Sequence, residues 1–242
     1  MSQKTENIDD SKQPLIQHLV ELRSRLIKSL ILISVLFVAA YIYADTIYNF
    51  LVQPYADAVS GDENRRLIFT ALHETFFTYL KVALFASIFI ALPFILIQIW
   101  IFVAPGLYKN EKSVVVPYLI ATPILFFIGA ALVYYFIMPL AIKFFLSFES
   151  IGGDGSLPIQ LEAKVNEYLS LVMKLIFAFG ISFQLPVVLS LLARIGVVDS
   201  EFLKKRRKYV VVIIFAAAAL LTPPDPITQI GLAIPLLILY EL

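Results

Sequence analysis

The chain contains no cysteine, only two histidines and few charged residues. Without cysteine, its 242 residues form no disulfide framework and carry no thiol chemistry, which leaves the redox compartment open. Charged residues make up 15% of the chain, against roughly 25% in soluble domains. A formal net charge of +1 offers no basic stripe for nucleic acid. These shortages exclude a disulfide scaffold and argue against a soluble domain or a nucleic-acid-binding protein.

The sequence also lacks the common motifs of catalysis and nucleotide binding. It has no His-Glu-x-x-His zinc motif and no Gly-x-x-x-x-Gly-Lys phosphate loop. We therefore expect no enzyme activity, no metal site and no cofactor, so any uphill transport must draw on a gradient or a partner. The polar N-terminal stretch has no short apolar run ending in a cleavage site, and no cleavable signal peptide is expected.

Apolar residues are abundant instead, at 60% of the chain. A helix needs about 20 consecutive apolar residues to cross a bilayer core. We predict an all-α membrane protein forming a single domain, 1–242, with six transmembrane helices at 26–44, 82–104, 114–141, 168–193, 209–221 and 227–242. The last two are short, and the proline-rich turn at 222–226 between them cannot continue a helix.

The distribution of lysine and arginine predicts the orientation of these helices. Most basic residues fall in the N-terminal arm, in the loop around 109–112 and in the run at 204–208. Basic loops stay in the cytoplasm, so both termini are predicted to be cytoplasmic. The run at 204–208 also suits an anchor for anionic lipid. The outer loops, including 45–80, are expected to form caps on the opposite face.

Six prolines lie inside the predicted spans, and each removes a backbone donor and bends its helix. Together they predict a concave wall of helices. They are Pro93, Pro117, Pro123, Pro139, Pro186 and Pro235.

Two polar residues lie at membrane depth, Lys174 and Gln184. The lysine can extend its ammonium group to the membrane surface. The glutamine needs a partner, either through a plain interhelical hydrogen bond or as part of a polar patch on the concave surface.

Two carboxylates, Glu21 and Glu111, lie at the predicted cytoplasmic rim. Glu21 precedes Arg25 by four residues, the favourable order for an intrahelical ion pair, and Glu111 stands between Lys109 and Lys112. Ion pairing is one interpretation of each carboxylate. The other is a shared acidic groove for guanidinium, which carboxylates bind in a bidentate manner.

Four segments together resemble one known family. They are HLVELRSRL at 18–26, FVAPGLYKNEKSVVVP at 102–117, FAFGISFQLPVV at 177–188 and LLTPPDPITQ at 220–229. In order and at this spacing they are similar to TatC, the core membrane subunit of the Sec-independent, twin-arginine protein translocase. The resemblance covers nearly the whole chain, and the four motifs are specific only in combination.

The resemblance implies a six-span, glove-shaped receptor in a bacterial inner membrane, with both termini cytoplasmic. It implies recognition of twin-arginine signal peptides of folded proteins, a homo-oligomeric receptor complex, the partners TatA and TatB, and export driven by the proton-motive force. Implied signal-peptide residues are Glu21, Glu111, Arg23, Phe102 and Leu107. Thr222 and Gln229 match a contact site for the partner subunits, and Pro54 and Asp225 match further functional positions.

One position departs from the family pattern, since Gln184 stands where the family often has glutamate. Glutamine keeps the hydrogen bonding but not the titratable charge. The sequence also bears on two other functions. A small-solute secondary transporter would explain proline-broken helices and a polar residue at depth, although no internal repeat supports it. An intramembrane hydrolase lacks a nucleophile and base at one depth.

Overall fold

The described part of the chain is helical almost throughout. The computed structural model describes residues 8–60, 65–107, 112–150, 152, 157–194 and 196–241, so the predicted site residue Glu111 lies outside the described residues. The helices are α1 (Ile8–Ile42), α2 (Ala44–Ala58), α3 (Glu74–Leu107), α4 (Lys112–Leu132), α5 (Met138–Leu146), α6 (Val165–Ser182), α7 (Leu185–Arg194), α8 (Ser200–Leu221) and α9 (Pro226–Glu241). A π-helical segment, Val133–Ile137, joins α4 to α5.

Four helical stretches of the described chain are long and apolar enough to cross a membrane. They are Leu19–Ile42, Glu74–Ile99, Val116–Leu146 and Val165–Arg194. The apolar helix α9 is shorter, as expected for the last predicted span. The all-helical membrane fold is therefore confirmed, whereas the count of six spans and the orientation of the termini stay predictions.

Several helices extend beyond the predicted spans, whose membrane boundaries stay predictions. α1 begins far before residue 26, and α2 fills much of the first outer loop that was expected to be a cap. The aromatic segment 76–79, assigned to that loop, lies in the first turns of α3. α8 begins at Ser200, ahead of the predicted span at 209–221, because the Asp199 carboxylate accepts the backbone N–H of Phe202 at 2.6 Å and caps the helix.

The core is built around α6, which packs closely on α4. Leu169, Leu175 and Phe179 of α6 are fully buried. Glycines allow the close approach: a Cβ at Gly129 would lie 2.8 Å from the Phe179 carbonyl oxygen, and one at Gly180 would lie 2.4 Å from the Phe126 ring. Small residues at such positions let membrane helices pack backbone to backbone.

Prolines shape the helices in two of the places where the sequence anticipated bends. Pro139 is the second residue of α5, just after the π segment, and Pro186 follows a break at Phe183 and Gln184 that separates α6 from α7. Because proline has no N–H, the helical hydrogen bond cannot continue through either position. The curvature of the whole wall stays a prediction.

The loop before α3 and the loop before α6 form a clasp. The Arg65 guanidinium donates to both carboxylate oxygens of Glu149, at 2.5 Å each, and the Leu161 N–H donates to the same carboxylate at 2.7 Å. Ile68 adds two backbone hydrogen bonds to the segment that leads into α6. These contacts join two loops that are far apart in sequence into one cap.

Candidate functional site

Glu21 forms the intrahelical ion pair that its spacing predicted. Arg25 donates to Glu21 Oε1 from two nitrogens, at 2.6 and 3.1 Å. A third nitrogen of Arg25 donates to the Gln98 side-chain oxygen on α3 at 2.7 Å. The Arg25 side chain is 18% exposed and the Glu21 side chain 41%. Arg25 therefore links α1 to α3 and leaves the Glu21 carboxylate open to solvent.

Sequence reasoning missed Gln98. The signal was available, since this amide interrupts the apolar run of α3 and stands one turn before Phe102, a predicted site residue. Phe102 is half-buried on α3, and Arg23 is exposed on α1. Leu107 ends α3, and the partner carboxylate Glu111 lies outside the described residues. The structure thus describes one half of the predicted rim site.

Gln184 lies at the break between α6 and α7 and is buried. Its amide nitrogen donates to the Thr122 carbonyl of α4 at 3.0 Å, the interhelical bond that was one interpretation of this residue. Within the described residues its amide oxygen has no hydrogen-bond partner, nor has the buried Thr122 hydroxyl. The pair is a polar spot inside an otherwise apolar helix contact.

The turn between α8 and α9 places the remaining predicted residues. Asp225 is buried and caps α9, accepting the Thr228 N–H at 2.8 Å and the Thr228 hydroxyl at 2.5 Å. Thr222 is buried and donates its hydroxyl to the Ala218 carbonyl at 2.9 Å. Gln229 is half-buried. Of the predicted partner-contact pair, Gln229 is the more accessible.

Pro54 lies in α2 and is buried. Because it has no N–H, it leaves the Phe50 carbonyl without its helical donor. The Tyr134 hydroxyl of the π segment donates to that carbonyl at 2.7 Å. The aromatic rings of Phe50 and Tyr134 also stack, with centroids 4.4 Å apart. Pro54 thus enables a contact between α2 and the π segment.

The ends of α8 and α9 opposite their turn are also joined. Arg207 donates to the Glu241 carboxylate, and the Tyr240 hydroxyl donates to the Leu203 carbonyl at 2.8 Å. No group of three histidine or acidic side chains suited to a metal occurs in the described chain.

The apolar spans and the charged rim define a polytopic helical membrane protein. Residues 17–235 match the family described as Sec-independent protein translocase protein (TatC). The chain therefore belongs to the TatC family, whose members are non-enzymatic subunits for protein transport. This membership favours a translocase subunit over the solute transporter and the hydrolase considered above.

Relatives and solved structures agree over nearly the full length. The chain is 48% identical to the TatC protein of Magnetococcus marinus over 98% of this chain and 84% of that protein. It is 39% identical to the TatC protein of Escherichia coli K12, with coverages of 98% and 88%. A crystal structure of a twin arginine translocase receptor, TatC, in DDM superposes with a TM-score of 0.77 at 38% identity, covering 93% of this chain and 96% of that one.

Proposed function

We propose that the chain is the receptor and core subunit of a twin-arginine translocase, binding the signal peptides of folded cargo at its cytoplasmic rim. The observation that carries the proposal is the network of Glu21, Arg25 and Gln98, which presents a solvent-open carboxylate near Phe102. The description of a solved relative as a translocase receptor supports it.

Glu21 can accept a second guanidinium without losing the first. Both bonds from Arg25 go to Oε1, and Oε2 accepts from no residue that the structure describes. Arg25 is itself fixed by Gln98. A signal-peptide arginine can therefore bind Oε2 at Glu21 while the second arginine binds Glu111, with Arg23, Phe102 and Leu107 contacting the rest of the peptide.

The wider assembly follows the same proposal. The chain has six spans with both termini in the cytoplasm, lies in a bacterial inner membrane, and forms a homo-oligomeric receptor complex. TatA- and TatB-type subunits contact the turn between α8 and α9 at Thr222 and Gln229, and transport is driven by the proton-motive force. Because the Thr222 hydroxyl bonds its own helix, Gln229 provides the polar contact.

The test is photo-crosslinking of a twin-arginine signal peptide to the full chain with its partner subunits in membrane vesicles. Charge-assisted hydrogen bonds contribute about 1.5–3 kcal/mol each. Glu21→Gln and Glu111→Gln should therefore each weaken peptide binding about tenfold or more. A twin-lysine peptide should bind weakly to every variant, because an ammonium is more strongly hydrated than a guanidinium and lacks its planar set of donors.

Glu201→Gln is the matched control. Glu201 is an exposed carboxylate in the first turn of α8, so its loss removes the same charge and should leave binding unchanged. Unchanged crosslinking in both rim variants would reject the carboxylate mechanism. Solute uptake by the chain alone in liposomes would instead favour the transporter.

A further inference from the structure

Lys174 is an exposed lysine on α6, the most buried of the membrane-span candidates in the described chain. Its neighbours Val172, Met173, Leu175 and Ile176 are all buried in the core, whereas Lys174 points away from it. A charged group on the outer surface of a membrane helix is costly unless it reaches a polar partner.

Two other lysines near the start of α6 have partners in the protein. Lys81 donates to the Asn166 side-chain oxygen at 2.7 Å, and Lys164 pairs with Glu167 at 3.7 Å. Lys174 has no hydrogen bond or ion pair with any residue that the structure describes. Its counter-charge must come from outside the described chain.

Glu167 lies on the same face of α6 but is two turns away, about 10 Å along the helix axis. The Cα–Cβ bonds of a helix tilt towards its N-terminus, so both side chains lean in the same direction and do not approach each other. The Lys174 ammonium extends towards the start of α6, past Ser170. A lysine near the end of a membrane helix can extend its ammonium in this way to the level of the lipid headgroups.

The length of the uncharged segment fixes that level. Between Lys174 and Arg194, α6 and α7 carry about 20 residues without a charge, which is about 30 Å of helix. This equals the thickness of a typical hydrocarbon core, about 30 Å. At the other end Arg194 lies over the Tyr118 ring at 5.9 Å, an aromatic and basic pairing suited to a membrane interface.

We propose that Lys174 binds the phosphate of an anionic phospholipid in the leaflet where α6 begins. The hydrocarbon core then starts at Lys174, and the first turns of α6 stand in the headgroup layer together with the clasp. The bound lipid fixes the height of the central helix in the membrane.

The test uses the absence of cysteine from the chain. Ser170→Cys gives a single site for a bimane fluorophore, and the full chain is placed in phosphatidylcholine nanodiscs with added phosphatidylglycerol carrying a headgroup nitroxide. Bimane at residue 170 should be quenched as phosphatidylglycerol is added. A basic residue contributes about 1 kcal/mol to the binding of anionic lipid. In the Lys174→Leu background, half-maximal quenching should therefore need about fivefold more phosphatidylglycerol. Lys174→Arg should behave as the parent.

Lys143→Leu is the matched control, since Lys143 is exposed in the last turn of α5, at the same end of the bundle. It should leave quenching unchanged, and nitroxide-labelled phosphatidylcholine should quench all variants alike. Equal quenching with and without Lys174, or an equal shift in both lysine variants, would overturn the proposal. If Lys174→Leu lost a copurifying partner subunit while quenching stayed unchanged, the proposal would also be overturned. The Lys174 ammonium would then pair with a carboxylate of that subunit rather than with a lipid phosphate.

Discussion

Single hydrogen bonds connect α2 to the rest of the bundle, and the bond from the Tyr134 hydroxyl to the Phe50 carbonyl is the clearest case. Pro54 removes the usual donor for that carbonyl, so the Tyr134 hydroxyl takes its place at 2.7 Å. Pro54 interrupts the hydrogen bonding within α2, and the carbonyl that it leaves free joins α2 to the π segment.

Tyr134→Phe should lower the free energy of unfolding by about 1 kcal/mol, because the Phe50 carbonyl then has neither a helical nor a side-chain donor. Thermal unfolding of the full chain in detergent measures the loss. Tyr135→Phe is the control, since that neighbouring ring is 65% exposed. Pro54→Ala in the Tyr134→Phe background should recover part of the loss by restoring the backbone donor. Equal melting of the two tyrosine variants would contradict the assignment.

The site shows what sequence can and cannot predict at this scale. The pairing of Glu21 with Arg25 followed from a spacing of four residues and was confirmed. The bond from Arg25 to Gln98 spans 73 residues, and no local pattern encodes such a contact. The same applies to Gln184, whose partner Thr122 is on another helix.

Helix packing depends on where a glycine meets rigid or flexible atoms. A Cβ at Gly129 would meet the Phe179 carbonyl oxygen at 2.8 Å, which is backbone and cannot move aside. A Cβ at Gly231 on α9 would meet the end of the Ile137 side chain at 2.6 Å, which can rotate.

Gly129→Ala should therefore destabilise the protein by about 1–3 kcal/mol, the usual cost of overpacking a core. Gly231→Ala provides the comparison and should cost clearly less, because Ile137 can change its rotamer. Melting temperatures of the two variants in the same detergent measure the difference. A larger loss for Gly231→Ala would show that α9 packs more rigidly than the contact of α4 with α6.

Helix existence was predictable from apolar runs, and helix ends were not. A prediction from apolar runs places the start of a helix where the residues become apolar. It therefore missed the polar first turns of α8, which Asp199 caps. It also read the aromatic start of α3 as a loop. The π segment could not be foreseen, because no residue of Val133–Ile137 marks in the sequence where a helix widens into a π turn.

At the scale of the whole molecule, the clasp makes stability depend on pH. The Arg65 guanidinium, followed by the Leu161 N–H, lowers the pKa of Glu149 from its ordinary value of 4.5 to about 2. A carboxylate whose pKa is depressed on folding stabilises the folded state above its unfolded pKa. That contribution is lost as the pH falls from 4.5 towards 2.

Glu149→Gln should therefore lower the melting temperature at neutral pH, and its difference from the parent should shrink as the pH falls below 4.5. Melting scans of the full chain across this range measure the effect. Glu162→Gln, an exposed carboxylate in the same loop, should change little at any pH. A difference that stays constant down to pH 2 would mean that the ion pair does not stabilise the clasp.

The clasp also sets an order of events during biosynthesis. Arg65 leaves the ribosome 84 residues before Glu149, and synthesis at about 5–20 residues per second makes it wait roughly 4 to 17 s. For that time the loop before α3 lacks its acidic partner. The clasp can therefore close only after α5 has been synthesised, so the loop before α3 is fixed late, when most of the described helices already exist.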